Sequence, residues 1–175
     1  SLGNSTDSGT DLQVDHRYAA AFGNGTRGCV AGGYYPAQIN NICYVDIATL
    51  GNSADFGDLT VKRGICKAAN SSTRGVIGGG YEGPAPNLTM DFVTISSRGN
   101  AVDFGDTNTA RGHRPAVSSP TRGMWCGGRN PVSPYPSEAN VDYVEIATLG
   151  NGKDFGDLTQ GRHAGGGTSN GHGGL

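Results

Sequence analysis

The sequence has no apolar run near the roughly 20 residues that a membrane-spanning helix requires, so helical membrane insertion is not expected. Hydrophobic residues make up only 35% and aromatics 7%, with one tryptophan in 175 residues, which argues against a large helical core. Neither sign of charge dominates: 13 Lys and Arg against 15 Asp and Glu leave a formal net charge of −2. That balance argues against holding nucleic acid by bulk charge. Cys29, Cys43, Cys66 and Cys126 show neither Cys-x-x-Cys nor Cys/His spacing, which argues against a structural zinc site. They also fall at different points of the repeat described next, so a recurrent disulfide is excluded and they read as small buried hydrophobes. No basic-plus-apolar leader follows Ser1, as expected of a mature form, a fragment or an excised piece.

Glycine, by contrast, is abundant, at 31 residues, yet too scattered for a collagen triplet. It belongs to an internal repeat. Thr-Arg-Gly recurs at Thr26, Thr73 and Thr121, with starts 47 and 48 residues apart. Asp-Phe-Gly-Asp recurs at 55–58, 103–106 and 154–157, preceded by Gly51-Asn52, Gly99-Asn100 and Gly150-Asn151. A decayed copy, Leu2-Gly3-Asn4-Ser5, opens the chain, and Gly171-His172-Gly173-Gly174 begins another. A period of about 48 residues runs through the whole chain.

Each unit contains four expected short strands. The first follows an arginine, at Arg17, Arg63, Arg111 and Arg162; the second ends in a glycine pair. The third, at 42–47, 90–95 and 141–146, alternates with period two, as a strand with unlike faces must. The fourth lies around Phe56, Phe104 and Phe155, which are expected to be buried between units. Gly-Asn suits a tight turn between the third and fourth strands. Little helix is expected.

Four antiparallel strands per period fit a propeller blade. The glycine pairs, the aromatics that follow them at Tyr34 and Tyr81, the Tyr or Phe of strand three, and the opening arginine resemble the kelch family of β-propellers. Two departures stand out: phenylalanine at 56, 104 and 155 where kelch blades carry tryptophan, and Arg129 at the place of Tyr34 and Tyr81. The resemblance implies an all-β propeller segment of four-stranded antiparallel blades at 17–59, 63–107 and 111–158. A leftover outer strand at 1–16 and the start of a further blade at 162–175 would leave the ring incomplete. The termini are then expected to pair with each other, with a second copy, or with remaining blades of a longer chain.

Several motifs suggest chemistry and are better explained by structure. Asp-Phe-Gly is a kinase magnesium signature, but three copies at the repeat period, without the accompanying kinase motifs, mark packing groups with turn-capping aspartates. Calcium is disfavoured because the spacing matches neither an EF-hand nor an Asp-rich nonapeptide. His16, His113, His163 and His172 share no single repeat position, so no metal ring is indicated, and no catalytic triad or cofactor site stands out. Asn4, Asn24, Asn70 and Asn87 open Asn-x-Ser/Thr sequences, candidate glycosylation sites if the protein is secreted.

The loops between strands two and three, 34–41, 81–89 and 129–140, vary most. A constant frame with variable loops suits a binding surface. Tyr34, Tyr35, Tyr81, Arg129, Tyr135 and Glu138 are its candidate contacts, the tyrosines for sugar stacking or protein contact. The Gly-Asn-x-x-Asp-Phe-Gly-Asp-Leu-Thr unit is similar to tandem repeats in structural and tail-fibre-like proteins of marine and cyanobacterial viruses. That resemblance implies a non-enzymatic structural or adhesion module, extracellular or on a virion surface, binding glycan or a host-surface protein. An intracellular kelch-type adaptor and a propeller lyase or glycosidase are the alternatives.

Overall fold

The computed structural model describes residues 11–49 and 51–169. Among these residues there is no helix, and none of their segments is a helix long and apolar enough to cross a membrane. Three four-stranded antiparallel sheets succeed one another along the chain. The first comprises β1 (Ala20–Gly23), β2 (Arg27–Ala31), β3 (Asn41–Asp46) and β4 (Ala54–Asp58). The second contains β5 (Lys67–Asn70), β6 (Arg74–Gly78), β9 (Thr89–Thr94) and β10 (Val102–Asp106). A small ribbon of β7 (Tyr81–Glu82) and β8 (Ala85–Pro86) sits in the 81–89 loop. The third sheet comprises β11 (Ala116–Ser118), β12 (Arg122–Cys126), β13 (Asn140–Glu145) and β14 (Lys153–Asp157).

The third strands lie within one residue of the positions that alternation indicates. The first strands start later, because the residues after each arginine first make a sharp left-handed step. β5 contacts β1 on one side and β11 on the other, so the sheets meet through their first strands. Small residues from these strands, including Ala21, Ala68 and Ala116, join Gly165–Gly167 around a cavity of about 240 Å³. The sheets do not form a closed ring among the described residues.

The Asp-Phe-Gly-Asp motif is a β-bulge. In each sheet the fourth strand skips a partner at the phenylalanine: Cys43 pairs with Asp55 and Ile42 with Gly57, leaving Phe56 unpaired. The same shift occurs around Phe104 and Phe155. Asp103 and Asp154 brace the bulge by accepting the Gly105 and Gly156 amides, each at 3.2 Å. A bulge re-aims the extra side chain, here out of its own sheet and towards the next one.

The next sheet receives it through the Gly-Asn turn. Gly99 N donates to Phe56 O at 2.8 Å and Ala101 N to Asp58 O at 2.7 Å, while Asn100 Oδ1 accepts from Asp58 N at 3.1 Å. The second junction repeats this, with Gly150 on Phe104 O, Gly152 on Asp106 O and Asn151 on Asp106 N. Gly57 and Gly105 have positive φ and lie so close to the next turn that a Cβ would collide with Gly99 O and Gly150 O. From below, Arg27 and Arg74 reach across to Ile95 O and Ile146 O, each at 2.9 Å. At the chain's start, Asp11 occupies the same place against Asn52 and Ser53, so 11–13 stands in for a preceding fourth strand. Residues 1–10 of the expected 1–16 strand, and the Gly171–Gly174 copy, lie outside the described residues, while 14–16 are not in a strand.

Burial follows from these junctions. Phe56 and Phe104 are each 2% exposed, whereas Phe155 is 55% exposed. The expectation that all three are buried fails at Phe155, because among the described residues no further four-stranded sheet packs against β14 and none comes within 4 Å of a Cβ placed at Gly156. The receiving side mirrors it: Ile95 and Ile146 are 0% and 1% exposed, but Ile47 is 60% exposed.

Middle strands are largely covered, and the two aspartates buried on them are paired. Arg63 meets Asp91 at 2.9 Å and donates to Thr89 O and Ile77 O. In the third sheet Asp142 is met by Arg114 at 2.7 Å, not by Arg111, which reaches Asn140 instead. The first sheet has Cys43 at this place, 3.5 Å from His16 Nε2. His16, not Arg17, therefore stands where Arg63 stands, and Arg162 lies exposed against Gln160. The four thiols are free, and burial raises Cys29 to about 12.

Replacing Phe56 or Phe104 by alanine should cost about 3–5 kcal/mol. Phe155→Ala should change stability by no more than about 0.5 kcal/mol. Denaturant melts of the three variants check this; equal losses would contradict the junction assignment.

Candidate functional site

The loops between second and third strands open over a pocket of about 460 Å³. Its floor is made by a backbone feature that recurs with the repeat. Tyr18, Ile65, His113 and Ala164 all have φ between 57° and 62°, in the left-handed region. They are spaced 47, 48 and 51 residues apart, one position per unit. That conformation is uncommon outside glycine and, for a β-branched residue such as Ile65, a genuine outlier. Ile65 N donates to Tyr18 O at 2.7 Å, and Ala164 N to His113 O at 2.8 Å, tying consecutive units together. The side chains of Tyr18, Ile65 and His113 line the pocket.

The residue before each of the first three left-handed positions pairs with the residue after a glycine pair. Arg17 bridges Tyr34, Gly64 bridges Tyr81, and Gly112 bridges Arg129. The glycine pairs make this possible. Gly33, Gly80 and Gly128 donate to the carbonyls of Arg63, Arg111 and Arg162 in the following unit, and a Cβ on the preceding glycines would collide with those oxygens. Tyr34, Tyr81 and Arg129 therefore occupy one repeat position and converge on the pocket.

Variable loops complete the walls. Gln38 reaches from the first loop to Gly83 O in the second at 3.2 Å. Pro84 comes from the second loop, and Pro131 and Tyr135 come from the third. The Arg129 guanidinium lies over the Tyr135 ring, 4.9 Å from its centre. Tyr81 and His113 meet edge to face at 6.4 Å, and His113 meets His163 at 6.2 Å. Partial burial lowers the His113 pKa from its ordinary value, and the neighbouring His163, Arg129 and Lys67 lower it further.

Of the six candidate contacts, Tyr34, Tyr81, Arg129 and Tyr135 come together here. Tyr35 lies outside the lining, beneath the Arg17 guanidinium at 4.9 Å. Glu138 is held by Asn130 Nδ2 at 2.7 Å. Tyr18, Ile65, His113 and Gln38 were not indicated by the sequence; only the repeat spacing marks the first three as equivalent, since they share no residue type. Asn24 and Asn70 lie at the other end of the strands, where their Nδ2 groups donate to Ser72 O and Gly23 O. Asn87 braces the second loop through Thr89 N, and Asn4 lies outside the described residues.

The lining has no carboxylate, serine or cysteine, and no cluster of three or more His, Cys, Asp or Glu suited to a metal occurs among the described residues. The arrangement can stack, hydrogen-bond and present one positive charge. No protein-family model matches the chain, and no curated protein matches it.

The strain at Ile65 has a direct consequence. Ile65→Asn, a residue that accepts the left-handed region, should raise stability by about 1 kcal/mol, whereas Ile65→Val should not. Thermal melts decide it; a valine variant more stable than the asparagine variant would contradict the backbone assignment.

Proposed function

We propose that the three sheets are consecutive blades of a kelch-like β-propeller and that the protein is a non-enzymatic structural or adhesion module. The observation that carries this reading is a division of labour within each repeat. Residues that repeat, such as Phe56, Phe104 and the glycine pairs, lock units together. Residues that vary, such as Tyr18, Ile65, His113 and the loop side chains, line the pocket. A scaffold that keeps its junctions and varies one face is suited to presenting a binding surface. The contact between successive first strands, and the cavity they share with Gly165–Gly167, support a radial arrangement about an axis.

In this reading the uncovered faces at Phe155 and Ile47 are two halves of one junction. Remaining blades of a longer chain, or other copies of this one, would cover them. A place on a virion surface, fibre or extracellular filament accords with a module that adds units end to end and carries its binding face on variable loops. Glycan or host-surface protein is the proposed ligand class.

An NMR screen of the protein against mono- and oligosaccharides tests the binding face. Shifts should cluster on Tyr34, Tyr81, His113 and Tyr135. Shifts confined to the opposite turns, around Asn24, Asn70 and Ser119, or no shifts with any sugar, would overturn the assignment.

A further inference from the structure

We propose that the pocket takes a carboxylated carbohydrate, a hexuronic acid residue of an acidic glycan, with Arg129 as the residue that recognises the acid. This rests on the reading of the loop face as a sugar-binding surface and adds the class of sugar.

Arg27, Arg63, Arg114 and Arg122 each have a carboxylate within 3.4 Å, and Arg74 and Arg111 have a carbonyl or carboxamide oxygen. Arg17, Arg98 and Arg129 have neither a carboxylate nor a hydrogen-bond acceptor for the guanidinium among the described residues, and of these three Arg129 is the one that lines the pocket. Its side chain is half-buried and fixed by stacking on Tyr135. Glu138, the carboxylate of its own loop, is engaged by Asn130 and does not line the pocket. The pocket wall therefore holds a positioned, uncompensated cation with no acidic side chain beside it. A guanidinium so placed can hold a carboxylate through two parallel hydrogen bonds, a geometry lysine cannot reproduce.

The remaining walls suit the rest of a sugar. Tyr18, Tyr34, Tyr81 and Tyr135 offer flat apolar rings with hydroxyl tips, which match the C–H faces and hydroxyls of a pyranose. Gln38 and His113 add hydrogen-bonding groups to the wall. The volume of about 460 Å³ lies within the range of small-ligand sites. Holding Tyr18, Ile65 and His113 in the left-handed region aims three side chains at one space, and strained backbone of this kind concentrates at ligand sites.

The test measures binding of trigalacturonate, of a neutral trisaccharide and of benzoate by titration followed by NMR, using the intact protein. Trigalacturonate should bind at least about tenfold more tightly than the neutral sugar, as expected for charge-assisted hydrogen bonds. Arg129→Gln should remove that advantage and leave weak neutral-sugar shifts at Tyr81. Arg17→Gln, which removes a cation outside the lining, should leave the preference intact; unchanged melting of both variants shows that they fold. Equal binding of acidic and neutral sugars would overturn the role of Arg129 while leaving the sugar site standing. Benzoate binding as tightly as trigalacturonate would mark an anion site and not a carbohydrate site. Failure of every sugar to bind would overturn the underlying binding-face reading as well.

Discussion

The structure depends on one junction, made twice. The bulge of one sheet pushes a phenylalanine outward, and the Gly-Asn turn of the next sheet closes over it with two backbone hydrogen bonds and one carboxamide. Each component requires the others. Without the bulge, Phe56 and Phe104 would lie in the pleat of their own sheets. Without glycine at 57 and 105, the turn could not approach. Without the turn, the phenylalanines would be exposed, as Phe155 is. A 35% hydrophobic chain can thus build a core by stacking small sheets, with no single thick interior. Few residues do most of the packing, and the motif that names them is a joint between units.

The same junctions account for the site. At the opposite end of each sheet, the glycine pair takes up the arginine carbonyl of the following unit, two residues before that unit's left-handed step. That step is dictated by the frame and not by the residue that occupies it, so tyrosine, isoleucine, histidine and alanine all adopt it. Functional variation is therefore free to enter at a position whose geometry is set elsewhere. The buried ion pairs show similar exchange of parts: Asp91 and Asp142 are equivalent, yet their arginines, Arg63 and Arg114, come from different places in the unit.

How much of this the sequence discloses follows from what each feature depends on. The third strands were legible because alternation at 42–47, 90–95 and 141–146 is a local consequence of two-sided packing. Their unit-by-unit recurrence was legible because Gly-Asn and Asp-Phe-Gly-Asp are backbone requirements, which few residue types can meet. The exposure of Phe155 was not legible, since burial belongs to the neighbour and not to the motif. Nor were the left-handed positions, where Tyr18, Ile65 and His113 share no chemistry. Tyr34, Tyr81, Arg129 and Tyr135 were found by their place in variable loops, whereas Tyr35 and Glu138 shared that place and turned to other partners.

Native-state hydrogen exchange at the Gly99, Ala101, Gly150 and Gly152 amides tests the central claim most directly, because these four groups are the backbone bonds of the two junctions. If the junctions hold the fold together, the four amides exchange only through global unfolding and share one opening free energy with the amides of the central strands. Exchange at the rate of the exposed loops, with the central strands still protected, would show that the sheets stand independently and would contradict the account.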